Sequence, residues 1–185
     1  MLNSLVGIIA SSGGANGGTA YESIASVTAT AGATTLTFSS IPSTYQSIQI
    51  RGIGLANSAT ALSLAIRING STTAANYTDH VLAGNGSSAY GSASVNVNGF
   101  CYLNFDSANT TAPLASIIDI HNYASTTQNK TLRTISGVDK NGSGEIDLFS
   151  GLFSLTNAIT SVTILATGGA FSATSTFALY GIKGA

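Results

Sequence analysis

Two histidines, seven acidic residues, six basic residues and one cysteine are all that this chain offers for acid–base or metal chemistry. His80 lies in Tyr77-Thr78-Asp79-His80, and His121 in Ile118-Asp119-Ile120-His121-Asn122. On a strand, Asp119 and His121 would share one face. With one of the many serines they could be drawn as a Ser–His–Asp relay. No Gly-x-Ser-x-Gly elbow is present, and serine is so abundant that adjacency carries little weight. The pair therefore reads as polar decoration of a solvent-facing strand. Glycoside hydrolysis needs two carboxylates across a cleft, and the spacing of the seven acids singles out no pair. Gly52-Ile53-Gly54 and Gly84-Asn85-Gly86 lack the third glycine and the following helix of a phosphate cradle. No catalytic residue and no cofactor is assigned, and the chain is not expected to be an enzyme.

Metal chemistry has one local candidate. Asp139-Lys140-Asn141-Gly142-Ser143-Gly144-Glu145-Ile146-Asp147 follows the opening of an EF-hand calcium loop, including its sharp-bend glycine. The twelfth position, where a bidentate Glu is needed, is Ser150, and both flanks read as strands. The competing reading is a β-hairpin whose Asn-Gly and Ser-Gly supply positive φ angles. No metal ligand is assigned. Cys101 sits in the apolar run Phe100-Cys101-Tyr102-Leu103, which suits a buried, inert thiol; a single thiol excludes an intrachain disulfide and a thiolate cage. Asn-x-Ser/Thr sequons at Asn69, Asn76, Asn85, Asn109, Asn129 and Asn141 arise readily by chance in this composition, and no glycosylation is assigned.

The elements that would position such residues are strands. From Tyr21 onward apolar residues recur at period two between closely spaced turns. The clearest run is Ala61 to Ile68, with Leu62, Leu64, Ile66 and Ile68 on one side and Asn69-Gly70 as a hairpin-type turn. Leu36 with Phe38, Ile48 with Ile50, Val95 to Phe105, Ile117 to Tyr123, Leu132 with Ile135, Ile146 to Leu152, Ile159 to Leu165 and Phe177 to Ile182 repeat the pattern. No window supports a long amphipathic helix. The expectation is an all-β, single-domain antiparallel β-sandwich, jelly-roll-like, of about eight to ten strands over residues 19–185. Residues 1–18 form an apolar arm (Leu2, Leu5, Val6, Ile8 and Ile9) followed by a Gly/Ser-rich linker.

Charge then bounds the partners. Charged residues make up 7% of the chain and its net charge is −1, against about 25% charged residues in an ordinary soluble domain. Too few Lys and Arg are present to neutralise nucleic-acid phosphates or to hold an anionic membrane. No stretch reaches the roughly 20 apolar residues that span a bilayer. The arm lacks the basic n-region of a signal peptide and reads as part of the mature protein. It would be hidden either on a neighbour or as a first strand of the domain's own sheet. A surface of Ser, Thr, Asn, Gly and Ala offers little repulsion between copies, which suits a subunit fixed among neighbours.

Several phrases together carry a resemblance: Leu5-Val6-Gly7-Ile8-Ile9-Ala10-Ser11-Ser12, Phe38-Ser39-Ser40-Ile41-Pro42-Ser43-Thr44-Tyr45 with Ile50-Arg51-Gly52, Asp119-Ile120-His121-Asn122-Tyr123-Ala124, Ser136 to Gly144, Ala158-Ile159-Thr160-Ser161 and Phe177 to Gly184. In this order they resemble a family of tailed-bacteriophage virion proteins, whose members often carry Trp where this chain has Phe153. The resemblance spans nearly the whole chain and implies a virion protein of β-sandwich type, assembled in the host cytoplasm. The first expectation is a capsid decoration (cement) protein, a homo-oligomer, trimeric, whose arm docks on the major capsid protein or another virion protein. The alternative is a tail or neck appendage that binds a neighbouring tail protein or a host glycan, with Tyr77, Tyr90, Tyr102 and Tyr123 as candidate sugar platforms. The resemblance brings no catalytic residues.

Overall fold

The computed structural model describes residues 20–59, 62–95, 101–104 and 111–184, and the side chains of 101–104 are outside that description. Arm residues Leu2, Leu5, Val6, Ile8 and Ile9, the linker 11–18 and the Cys101 thiol therefore lie outside the described residues. Twelve strands are present among the described residues: β1 (Tyr21–Thr28), β2 (Thr35–Phe38), β3 (Ser47–Gly54), β4 (Ser63–Ile68), β5 (Tyr77–Gly84), β6 (Ala89–Val95), β7 (Cys101–Asn104), β8 (Leu114–His121), β9 (Lys130–Asp139), β10 (Gly144–Phe153), β11 (Val162–Gly168) and β12 (Thr176–Ile182). A 3-10 turn, Ala74–Asn76, leads into β5. Eight strands form one sheet in the order β1-β12-β3-β8-β9-β10-β5-β6, and four form a second, β2-β11-β4-β7. The protein is an all-β sandwich of two antiparallel sheets.

Alternation builds its core. Ile48 and Ile50 of β3, Leu114, Ile118 and Ile120 of β8, and Phe177 and Leu179 of β12 face inward from the large sheet. They meet Leu36 and Phe38 of β2, Leu64, Ile66 and Ile68 of β4, and Val162 and Ile164 of β11. Each such side chain contributes about 1.5–3 kcal/mol on burial, and Tyr77 of β5, Leu132 and Val138 of β9 and Phe153 of β10 extend the same core. Gly52 belongs to the same core, because a Cβ there would overlap the Phe177 ring.

The strand count exceeds the eight to ten expected because β1, β5 and β6 lack a clean apolar face. Asn69 and Gly70 do adopt positive φ (49° and 66°), with Ser71 N–H donating to the Ile68 carbonyl at 2.9 Å. This turn does not make a hairpin, however: β4 belongs to the small sheet and β5 to the large one. The Asn69 side chain explains the crossing. Its Nδ2 donates to the Ala158 carbonyl (2.8 Å), and its Oδ1 accepts from the N–H groups of Thr160 (2.8 Å) and Ser161 (3.1 Å). The turn is thereby tied to the loop entering β11.

Candidate functional site

The outer face of the large sheet carries most of the chain's candidate residues in aligned rows. Register places Gln49, Asp119, Arg133, Ser150 and His80 side by side across β3, β8, β9, β10 and β5, with Ser47 and His121 one row away. Asp119 and His121 share a face, as their spacing implied, but they do not pair. Gln49 Nε2 donates to Asp119 Oδ1 at 2.6 Å, and Arg51 Nε donates to Gln49 Oε1. His121 instead meets Ser47 Oγ through Nδ1 (3.1 Å) and Arg133 through Nε2 (3.1 Å).

That arrangement opposes nucleophilic catalysis at Ser47. A guanidinium can only donate, so Nε2 of the neutral ring accepts and Nδ1 carries the proton. Nδ1–H then donates to Ser47 Oγ, leaving no base to take the hydroxyl proton. His80 stands two strands away from Arg133, opposite Ser150 and Ala93. The row is a hydrogen-bonded polar belt.

The Asp139–Asp147 segment is a hairpin rather than an EF-hand. Asn141 (φ 59°) and Gly142 (φ 101°) both take positive φ, the type I′ pattern that continues a strand's twist. Asp139 Oδ1 accepts from the Asn141 N–H at 2.8 Å, and Lys140 N–H donates to the Ser143 carbonyl at 2.7 Å. At Gly144 (φ 144°) a Cβ would overlap the Val138 carbonyl, so the site needs glycine. No group of three metal-ligating side chains occurs among the described residues.

Three features escaped the sequence reading. Glu145 and Asp147 sit two apart on one face of β10, and Tyr90 OH donates to Glu145 Oε1 at 2.8 Å. Asp147 is buried; desolvation, then its hydrogen bond to Glu145, push its pKa up to about 7. The Glu145 bond pushes the Tyr90 phenol up to about 12. The two carboxyls touch each other instead of facing across a cleft, so they store a proton but do not bracket a substrate. Lys130 is also fully buried, and its Nζ donates to the carbonyls of Ser125 (2.7 Å), Gln128 and Thr156 (3.0 Å). All three ammonium protons are thus matched, and the lysine staples two loops while burial pulls its pKa down.

The third feature is a local exchange of polarity on two strands whose inward faces otherwise bury Tyr77, Ala83, Phe149 and Phe153. On β10 and β5 the inward side chains include Asp147 and Asp79, both buried, while Ile146, Leu148 and Leu82 point outward and are 59%, 50% and 60% exposed. Ile135 of β9 and Ile53 of β3 extend this stripe. Beside it an open trough of about 970 Å³ is lined by Ile53, Ala115, Ile117, Ile135, Gly137 and Ile146. The depression exists because the small Ala115 and Gly137 sit between Ile53 and Ile146 in one row. Period two located β10, but it could not say which side faced solvent, since an alternating strand is symmetric in that respect.

Of the tyrosines expected to greet a sugar, Tyr77 and Tyr123 are buried and Tyr90 is exposed; the side chain of Tyr102 is outside the described residues. Tyr77 OH accepts from the Ile68 N–H at 3.1 Å, and Tyr123 OH donates to the Pro42 carbonyl. No model of a known protein family matches this chain, and no curated protein matches its sequence.

Proposed function

We propose that this protein is a non-enzymatic structural subunit of a tailed-phage particle, a capsid decoration protein that binds the head lattice as an oligomer. The observation that carries this reading is the outward apolar stripe of Ile53, Ile135, Ile146, Leu148 and Leu82 on a chain with 7% charged residues. A contiguous aliphatic patch of this kind marks a surface that is covered in use. Covering it is favourable by about 25 cal/mol per Å², before association costs. The Leu2, Leu5, Val6, Ile8 and Ile9 arm adds a second apolar element to the same contact with neighbouring virion proteins. The virion part of the proposal draws on the resemblance, the covered-surface part on the stripe.

Quantitative mass spectrometry of purified particles tests it. A decoration protein is present in hundreds of copies; a handful of copies favours the tail or neck appendage, and none removes the virion reading. Within the particle, Leu148→Lys and deletion of residues 1–18 should each reduce incorporation at least several-fold. Unchanged incorporation of both variants would remove stripe and arm from the contact.

A further inference from the structure

A two-sheet sandwich has four edges, and three of them here are blunted. β2 and β7 are four residues each. β1 carries a bulge between Ser23 and Ala25 and a charged Glu22 bound to Lys183. Short edges, bulges and charges are the devices that stop strands from recruiting other strands. β6 has none of them. Its seven residues, Ala89-Tyr90-Gly91-Ser92-Ala93-Ser94-Val95, contain no charge and no proline, and they pair with β5 without a register shift.

Its position increases the exposure. β6 lies at the rim of the eight-stranded sheet, and five of its residues besides Val95 are exposed, with Val95 at 72%. The turn that precedes the strand is braced by a side chain. Asn85 Oδ1 accepts from the N–H groups of Ser87 (3.0 Å) and Ser88 (2.9 Å), bracing the turn that delivers Ala89 opposite Gly84. Among the described residues, the backbone groups on the side of β6 away from β5 meet no other strand.

We infer that β6 is a docking edge for β6 of a second copy, the two strands pairing antiparallel about a two-fold axis. An antiparallel partner must match β6 in length and bring no like charge or bulge. Among the described edge strands only β6 itself meets those conditions, so the complementary strand is its own copy. A register centred on Ser92 pairs all seven residues: Ser92 with Ser92, Gly91 with Ala93, Tyr90 with Ser94 and Ala89 with Val95. Val95 then gains a neighbour, and two eight-stranded sheets become one. The net charge of −1 leaves little repulsion to oppose it. This contact concerns copies of the chain and stands whether or not the protein belongs to a virion. Being isologous, it joins copies two by two.

The test is the mass of the full chain in solution, by light scattering or sedimentation over a concentration series, against Ser92→Lys/Ala93→Lys. In the inferred register the two lysines introduced at position 92 stand directly opposite each other, one from each copy. The wild type should have twice the mass of this variant, while both show the same β-sheet circular dichroism and similar melting temperatures. Equal masses would overturn the inference. Leu82→Lys/Leu148→Lys, on the outer face, should keep the wild-type mass; halving there and not in the edge variant would move the contact to the face and also overturn it. Absence of the wild-type chain from purified particles, with an intact two-fold mass difference, would count against the proposed function alone.

Discussion

The two rims of the large sheet are built on opposite plans. At the β1–β12 rim everything is tied down. Lys183 N–H donates to the Ala20 carbonyl (3.0 Å), Tyr45 OH donates to Glu22 Oε2 (3.0 Å), and Lys183 pairs with Glu22. Arg51 lies over the rings of Tyr21 (5.4 Å) and Tyr180 (5.9 Å), covering the outer face there. At the β5–β6 rim the inward face mixes Tyr77 and Ala83 with Asp79, Ser92 and Ser94, the outward face holds Leu82, and Tyr90 OH of the last strand donates to Glu145. One rim is fastened by side-chain contacts; at the other, among the described residues, β6 pairs with β5 on one side and meets no other strand. The difference shows that one core can serve a sheet whose two rims differ, one fastened by side-chain contacts and one left with an open edge.

Matched glycine substitutions should expose that difference most strongly. Gly181 of β12 lies under the Tyr45 ring, and a Cβ there would overlap ring atoms. Gly181→Ala must displace Tyr45 and break its bond to Glu22, a cost of about 3 kcal/mol, at the upper end for overpacking. At Gly91 of β6 a Cβ would rest 3.5 Å from the Val81 carbonyl, an ordinary contact. Gly91→Ala should be neutral or stabilising by up to about 0.5 kcal/mol, since alanine loses less entropy on folding. Urea unfolding midpoints check both. A comparable loss at the two positions would mean that the β6 rim is as closely packed as the β1 rim.

The same asymmetry explains what the sequence could reveal. β4, β8 and β12 were legible because Leu64-Ile66-Ile68, Ile118-Ile120 and Phe177-Leu179 alternate with smaller or polar residues and face a core. β1 offered only Ile24 and Val27, both half-buried at an edge. β5 hid because Asp79 interrupts its inward set of Tyr77, Val81 and Ala83 while Leu82 points outward, and β6 because neither of its faces is buried. The Asn141-Gly142 turn was legible from dihedral preference alone. The partner of His121 was not: Ser47 lies 74 positions away, and only the β3–β8 register brings it within hydrogen-bond distance. Lys130 gave no signal, since the carbonyls that accept from it belong to loops whose path depends on the finished fold.

Acid–base titration gives the next largest expected effect, on the β10 side. The folded pKa of Asp147, about 7, exceeds its unfolded value of 3.8. The folded protein therefore binds more protons between these limits, and stability falls as pH rises through the window from about 4 to 7. The Glu145 and Tyr90 groups beside it carry no positive charge to offset its own. The full shift is worth at most about 4 kcal/mol; sharing of the proton with Glu145 and solvent relaxation reduce this, and a loss of about 2 kcal/mol across the window is expected, read as a drop in urea midpoint. Asp147→Asn should flatten the profile. An unchanged profile in that variant would assign the slope to another carboxylate.

The smallest effect is expected at the closed rim, with the opposite sign. The Lys183 hydrogen bond first, then that of Tyr45, hold Glu22 below its ordinary 4.5. Its contribution is therefore present above pH 4.5 and disappears as pH falls through the lowered folded value. The partners are 41% and 32% exposed, so water and salt screen the pair. Amide exchange should show β1 opening more readily at about pH 3 than at neutral pH in the wild type, and equally at both in Glu22→Gln. Added salt should erase the Glu22 effect at β1 while leaving the buried Asp147 slope in place. If salt erased both, Asp147 would be as well solvated as Glu22, and the contrast between a screened closed rim and a dry interior beside the open one would fail.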